Sequence, residues 1–323
     1  MIQLFWSGLV LFAIEASLLL ISQAHAGGSE SPDSLRVITY NVQFLPEPVS
    51  GRNERPEPEY RAARIAELAS EFDLIALQET FHDKHRALIV EGIGKAWSGE
   101  PHLITSPTPD GFFTSGGCLL VSKRPLSTQH ATVFSNYSRP ADYGLRADGY
   151  AAKGVVHARV PRSSDVSSKS NSDDCVDVFV THLEARADDL RPLQYAEVAA
   201  FVKLHSSTDR PALLLGDLNT RGSVEFRGDP QSQYSQLMQQ LASARSGCEW
   251  IDVWSHLRKD SLGGTTEQES SDVGKRIDYI LLSNPALPNP QLAPVTVAVE
   301  LFQDEKVTAL SDHNAVTAEL EWK

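Results

Sequence analysis

The sequence predicts an α+β fold in which stacked sheets are covered by helices. Three observations lead there: short runs rich in Val, Ile and Leu recur along the whole chain, helical patterns are fewer, and the two kinds do not alternate strictly. Each run has strand length, and most have polar or turn-forming borders. Leu35–Val42 follows Asp33-Ser34, and Leu74–Leu77 follows Asp73. Gly117–Val121 begins at a Gly pair, and Val155–Val160 lies between Gly154 and Pro161. Val176–Val180 follows Asp174-Cys175, and Ala212–Leu215 lies between Pro211 and Gly216. Ile277–Leu282 ends at Ser283-Asn284, Val295–Leu301 follows Pro294, and Ala315–Leu320 follows Asn314. Among the helical patterns, Glu59–Phe72 sets Ile65, Leu68 and Phe72 at i, i+3 and i+7, with most charges on the other side. Arg191–Leu204 and Tyr234–Leu241 are further candidates. The polar stretches Pro46–Glu57, Pro161–Asp174, Arg221–Gln231 and Leu257–Lys275 read as loops inserted between regular elements. None has the composition of an interdomain linker, so residues 27–323 read as one domain.

Residues 1–26 read as a secretory signal peptide. Leu4–Ile21 is almost wholly apolar, and Ala24-His25-Ala26 follows as a small-x-small cleavage signature. No Lys or Arg precedes the apolar run. Glu15 lies inside it and argues against an uncleaved anchor, because a carboxylate near the bilayer centre is costly. A buried first helix is the other reading. Cleavage after Ala26 would make the mature chain a secreted or periplasmic protein.

Composition narrows the function. With 41% hydrophobic and 22% charged residues in 323, the chain is neither disordered, collagen-like nor a polytopic membrane protein. The formal charge of -13 excludes a surface that grips a polyanion everywhere, so contact with phosphate must be local, through a metal ion or a small basic patch. Three cysteines exclude a disulfide-built scaffold. Cys118 lies in an apolar run and reads as a buried strand residue. Cys175 and Cys248 lie in polar surroundings, and whether they pair stays open.

Polar residues stand at the ends of successive apolar runs, where a buried scaffold can hold them rigidly. They are Asn41, Glu79, His182, Asp217, Asn219, Asp278, Asp312 and His313. Singly, each has a structural explanation as a turn, a cap or a solvent-facing residue. Together they supply carboxylates, amides and two histidines, a set suited to hydrolysis of a phosphate ester. Magnesium prefers oxygen ligands and takes one or two carboxylates, a role that fits Glu79 and Asn41; Mn²⁺ or another divalent ion would suit the same donors. An Asp paired with a His orients the imidazole to take a proton from water. Asn219 and a second imidazole can donate to phosphoryl oxygens. No Cys or Ser sits in a recognisable nucleophile motif, which leaves direct attack by water. Zinc suits the sequence less, because no closely spaced His/Cys cluster occurs.

In order, the segments Thr39-Tyr40-Asn41, Leu77-Gln78-Glu79-Thr80, Thr181-His182-Leu183, Gly216-Asp217-Leu218-Asn219, Arg276-Ile277-Asp278-Tyr279 and Ser311-Asp312-His313 resemble the endonuclease/exonuclease/phosphatase superfamily. The resemblance implies a four-layer αββα sandwich, two packed mixed sheets flanked by helices. It implies Glu79 as the principal Mg²⁺ ligand, with Asn41 and Asp312 at the metal. His313 would be the general base, oriented by Asp278. Asp217 and Asn219 would position nucleophile and phosphate, and His182 would contact phosphoryl oxygens or assist the leaving group.

Asp148-Gly-Tyr-Ala-Ala-Lys153-Gly154 resembles the Asp-x4-Lys-Gly loop of the neutral and bacterial sphingomyelinase branch. The run Gly116-Gly117 to Ser122-Lys123, and Phe81 after Gln78-Glu79-Thr80, are similar to that branch as well. In that loop Lys153 would offer one ammonium to a phosphate, and Asp148 would sit in the substrate site with it. The expected activity is therefore a sphingomyelinase-like phospholipase C with a phospholipid substrate and peripheral membrane contact. The alternatives are an inositol or small-molecule phosphatase of the same superfamily, or an extracellular nuclease, for whose groove Arg139, Arg146 and Arg186 are scattered basic candidates. Another is a catalytically silent member that binds phospholipid or protein. The segment Arg258–Lys275 has no aromatic residue for a membrane wedge. Phe112-Phe113 could serve instead, although two adjacent Phe before a strand more often belong to the core.

Overall fold

A computed structural model describes residues 33–46, 55–144, 147–163, 174–266 and 270–323. The signal-peptide reading of residues 1–26 lies outside them, as do Arg146 and parts of three predicted loops. Residues Asp33–Lys323 form one compact unit. No helix among the described residues is long and apolar enough to cross a membrane.

The first sheet contains β1 (Ser34–Phe44), β2 (Leu74–Thr80), β3 (His102–Thr105), β4 (Leu119–Ser122), β11 (Leu292–Glu300) and β12 (Ala315–Trp322). The second contains β5 (Ser127–Val133), β6 (Gly154–Pro161), β7 (Cys175–His182), β8 (Ala212–Asp217), β9 (Glu249–Asp252) and β10 (Asp278–Asn284). Their orders are β11-β12-β1-β2-β4-β3 and β9-β10-β8-β7-β6-β5. Each sheet is antiparallel apart from one central parallel pair, β1 with β2 and β7 with β8.

Central strands are buried on both faces, which is why they read as nearly unbroken apolar runs. The period of two still sorts their side chains. In β1, Leu35 and Val37 point between the sheets, where they meet Leu74 and Leu120 and, from the second sheet, Val180, Leu215 and Ile280. Ile38 and Tyr40 point the other way, under α1 (Pro58–Ala69) and α2 (Asp83–Trp97), against Ile65 and Ile89. On the second sheet, Phe179 and Leu214 lie under α3 (Arg191–His205) and α4 (Gln233–Ala244), against Val198, Val202 and Leu237. Each such aliphatic side chain contributes about 1.5–3 kcal/mol on burial. The layers are helix, sheet, sheet, helix, as the resemblance implies. No disulfide joins Cys175 to Cys248, and Cys118 is buried just before β4.

Candidate active site

The strand directions bring the motif residues to one edge of the sandwich. Because β1 and β2 run parallel, as do β7 and β8, Asn41, Glu79, His182 and Asp217 all stand at or near strand C-termini. The antiparallel β10 starts where β8 ends, so its first residue, Asp278, is the register partner of Asp217. Asp312 and His313 come just before β12, which runs antiparallel to β1.

Asn41 ties the two sheets together: its Nδ2 donates to Glu79 Oε1 at 3.0 Å and to Asp217 Oδ2 at 3.2 Å. Asp217 Oδ2 lies 3.5 Å from His182 Nε2 and 3.8 Å from His313 Nε2. Its Oδ1 accepts the Asn219 backbone N–H at 2.9 Å. His313 Nδ1 is 2.9 Å from Asp278 Oδ2. Asp278 Oδ1 is buried with no hydrogen-bond partner among the described residues. Gln43, Glu79 and Asn219 hold φ of 51°, 58° and 48°. Non-glycine residues avoid that left-handed region unless their surroundings impose it, and such strain gathers at functional sites. Gly216 at φ 143° is required for a second reason, since a Cβ there would strike the Thr181 carbonyl.

The two histidines are driven apart electrostatically. Burial and the neighbouring Lys153 ammonium hold His182 well below the ordinary imidazole value, so its ring is neutral. Burial works in the same sense on His313, yet the Asp278 and Asp217 carboxylates hold it well above. Asp217 is pushed up to about 7 by burial and by Asp278, against the pull of His313. Glu79 is raised by burial and by Asp312. Titratable neighbours pushed in opposite directions mark acid–base sites.

The Asp148 loop closes on the same place. Lys153 is buried, and its Nζ donates to Asp148 Oδ2 at 2.8 Å and to the Leu183 carbonyl at 2.9 Å, with His182 Nε2 at 3.3 Å. Asn219 Nδ2 donates to that same Leu183 carbonyl at 3.1 Å. Burial works to raise the Asp148 carboxyl, but Lys153 and the Ala185 N–H hold it well below the usual carboxylate range. Burial likewise opposes the Lys153 charge, and Asp148 outweighs it. A Cβ on Gly154 would strike the Thr132 carbonyl of β5, which accounts for the Lys-Gly pair.

A cleft of about 650 Å³ opens here, lined by Glu79, Lys153, His182 and Asp312 and flanked by Phe81, Phe113 and Tyr150. Phe113 corrects the expectation of a core pair, for it is 63% exposed. Thr114-Ser115 after it pair with Ala151-Ala152. Phe112 meets Tyr137 at 5.2 Å between ring centroids, while the next side chain turns outward to the cleft. Arg186 lines the rim, whereas Arg139 lies over Tyr137.

All ten motif residues thus stand in or beside one site, with Asp312 exposed at its edge. Three supporting residues lie outside the set of expected site residues. Gln43 Nε2 donates to Asp312 Oδ2 at 2.8 Å. Ser311 Oγ donates to the Asn41 carbonyl at 2.6 Å. Thr265, from the predicted Leu257–Lys275 loop, is fully buried and accepts the N–H groups of Ile277 and Asp278. Only Ser311 carried a signal, its place in the Ser-Asp-His motif.

The model of the endonuclease/exonuclease/phosphatase family matches residues 38–313, which takes in Asn41 and His313. The chain belongs to this family. Its members are metal-dependent phosphoric-ester hydrolases. Sphingomyelinase C of Leptospira interrogans is 24% identical over 214 residues, which are 59% of this chain and 35% of that protein. The chain therefore spans about a third of the length of that curated relative. Among solved structures, a beta toxin variant of Staphylococcus aureus with bound magnesium ions superposes with a TM-score of 0.60 at 17% identity, covering 88% of this chain and 99% of that one. TDP2 of D. rerio, complexed with a single-strand DNA product, gives 0.59 at 16% identity, with 89% and 99% covered. At these identities the structural likeness is one of fold.

Proposed function

We propose that the chain is an exported, Mg²⁺-dependent phosphodiesterase, specifically a sphingomyelinase-like phospholipase C. The observation that carries this reading is Lys153, a single buried cation between Asp148 and His182 at a cleft with a Phe113 and Tyr150 flank. One desolvated ammonium beside an apolar wall suits a phosphodiester with hydrocarbon attached. A nucleic-acid groove would instead present several cations and stacking aromatics along a track. The identity to a sphingomyelinase C supports the same choice.

Glu79, Asp312 and the Asn41 amide would hold the metal. These oxygen donors fit a hard cation: Glu79 is raised by burial and by Asp312, and the two acids accept from the amide groups of Asn41 and Gln43 and from the Ser311 hydroxyl. When bound, the ion supplies charge neutralisation and Lewis acidity at the phosphoryl group. His313, with Nδ1 tied to Asp278 and Nε2 directed at Asp217, takes the proton of the attacking water in its neutral form, and the two carboxylates stabilise the imidazolium that results. The water oxygen bonds to phosphorus as the P–O bond to the alcohol breaks. Asp217 and Asn219 position the reacting groups, and Lys153 and neutral His182 face the phosphoryl oxygens and the departing alcohol.

The test is a parallel assay of the purified mature chain with Mg²⁺: phosphocholine release from sphingomyelin vesicles, nicking of plasmid DNA, and phosphate release from inositol phosphates. Phosphocholine release is expected. Cleavage of DNA alone would replace the lipid reading with the nuclease reading, which Arg186 at the rim and the fold shared with TDP2 favour. Export is checked by sequencing the N-terminus of the chain recovered from medium or periplasm, where Gly27 should come first.

A further inference from the structure

The second sheet carries a histidine cluster that the phosphodiesterase site does not use. His130 on β5 and His157 on β6 are direct register partners, so their side chains share a face. His157 is in turn the partner of Phe179 on β7, and Phe179 packs under α3. His205, the last residue of α3, completes the group: its ring lies 4.0 Å from that of His130 and 5.9 Å from that of His157, between centroids. One ring nitrogen from each of the three lies within 4.8 Å of the others.

His157 is the anchor. It is fully buried, and its Nε2 lies 3.1 Å from Asp177 Oδ1. That leaves Nδ1, buried and with no hydrogen-bond partner among the described residues, as the nitrogen available to a ligand. A carboxylate on one imidazole nitrogen and a lone pair on the other is the arrangement by which proteins orient metal-binding histidines. Asp177 cannot act as the ligand itself with ease, because Arg159 Nε and Arg210 Nε stand 3.3 Å and 3.7 Å from it.

We propose that His130, His157 and His205 form a second metal site, for a zinc-class divalent ion, with Asp177 orienting His157. Three imidazoles select borderline transition metals over Mg²⁺. Zinc–nitrogen bonds of about 2.0–2.1 Å require the rings to close in from their present spacing. His130 is exposed and His205 partly so, and both can turn out of the ring stack while His157 stays fixed. Asp177 lies five residues before His182 on β7, about 16 Å along the strand, so the site is separate from the catalytic edge.

The probe is Co²⁺ added to the chelator-stripped mature chain in excess Mg²⁺, read by visible d–d absorption, with Zn²⁺ titrated calorimetrically beside it. One equivalent should bind with a tetrahedral-type spectrum, and Zn²⁺ should displace it. His130→Ala and His205→Ala, at accessible positions, should each weaken binding at least tenfold, with unchanged circular dichroism, while Glu79→Gln leaves it intact. An octahedral-type spectrum, binding unaffected by either histidine variant, or binding lost in Glu79→Gln would overturn the site.

Discussion

The two ends of β7 use histidine in opposite ways. At its C-terminal end burial and the Lys153 ammonium hold His182 well below the ordinary imidazole value, and Asp278 and Asp217 hold His313 across the cleft well above it. Oxygen donors dominate there, and one carboxylate atom, Asp278 Oδ1, has no hydrogen-bond partner among the described residues. At the other end, Asp177 is shared among His157, Arg159 and Arg210, and His157 Nδ1 is left without a partner among the described residues, as is His182 Nδ1 at the catalytic end. Burial favours a higher Asp177 value, but His157 and Arg159 hold it down. On the proposed readings, the same residue types would make an oxygen site for a hard cation at one end and a nitrogen site for a softer one at the other. What differs is which group the neighbouring cations satisfy.

The largest effect that should separate the ends is loss of catalysis. Glu79→Gln or His313→Ala should lower Mg²⁺-dependent phosphodiester cleavage by about 10³-fold or more. Cleavage by His130→Ala should stay within about twofold of the parent chain, since nothing in the phosphodiesterase mechanism touches it. Substantial residual turnover in the first pair would dissolve the site assignment. Next comes Asp278→Asn, which keeps the side-chain volume but removes the charge that orients His313. Turnover number should fall about 10²- to 10⁴-fold with little change in KM, as measured by steady-state kinetics.

Lys153→Met should slow sphingomyelin hydrolysis about 10- to 100-fold by removing a buried charge-assisted contact to phosphate. It also tests a pH dependence. Asp148 has a folded-state value below its unfolded one, so its stabilisation is present above about pH 4 and is lost as pH falls through the folded value. Without Lys153 most of that contribution is lost, leaving the Ala185 N–H as the remaining support. The gap in melting temperature between the two chains should therefore be widest near neutrality and close in acid, as scanning calorimetry would record. A gap that widened in acid would mean that the pair does not carry the shift. The smallest effect is expected for Phe113→Ser. Removing one exposed ring should reduce turnover on vesicles about three- to tenfold and leave a soluble short-chain substrate unaffected. Equal losses on both would place Phe113 in the head-group pocket and not at a lipid surface.

Much of the fold was legible because central strands must be apolar on both faces. The strands that escaped notice, β3, β5 and β9, are all sheet edges. β5 reads Ser-Thr-Gln-His-Ala-Thr-Val and is mostly exposed, so it carries no apolar alternation; pairing with β6 makes it a strand. The helix α2 was missed because its buried stripe is only His85, Ile89 and Ile93, with two helix-weakening glycines, Gly92 and Gly94, beside it. Phe113 departs from expectation for the opposite reason: a large apolar side chain predicts burial on average, but this one lies just before the Thr114-Ser115 pairing and faces the cleft.

The sequence by itself determined the ordered motifs and the chemistry they serve, because strand ends in a doubly buried sheet are legible wherever an apolar run stops at a polar residue. Asn41, Glu79, His182, Asp217, Asp278 and His313 were each apparent in that way. Only the tertiary structure decided how Asn41 spans the sheets to Asp217, how Gln43 and Thr265 support the site, and that Lys153 is buried against His182. The same holds for His130, His157 and His205, spread over 76 positions without a motif. The absence of a closely spaced His/Cys cluster argued against zinc, yet strand pairing and the end of α3 bring these three rings together. Spacing along the chain reports only contacts within one element, whereas register and layer packing set the contacts between elements.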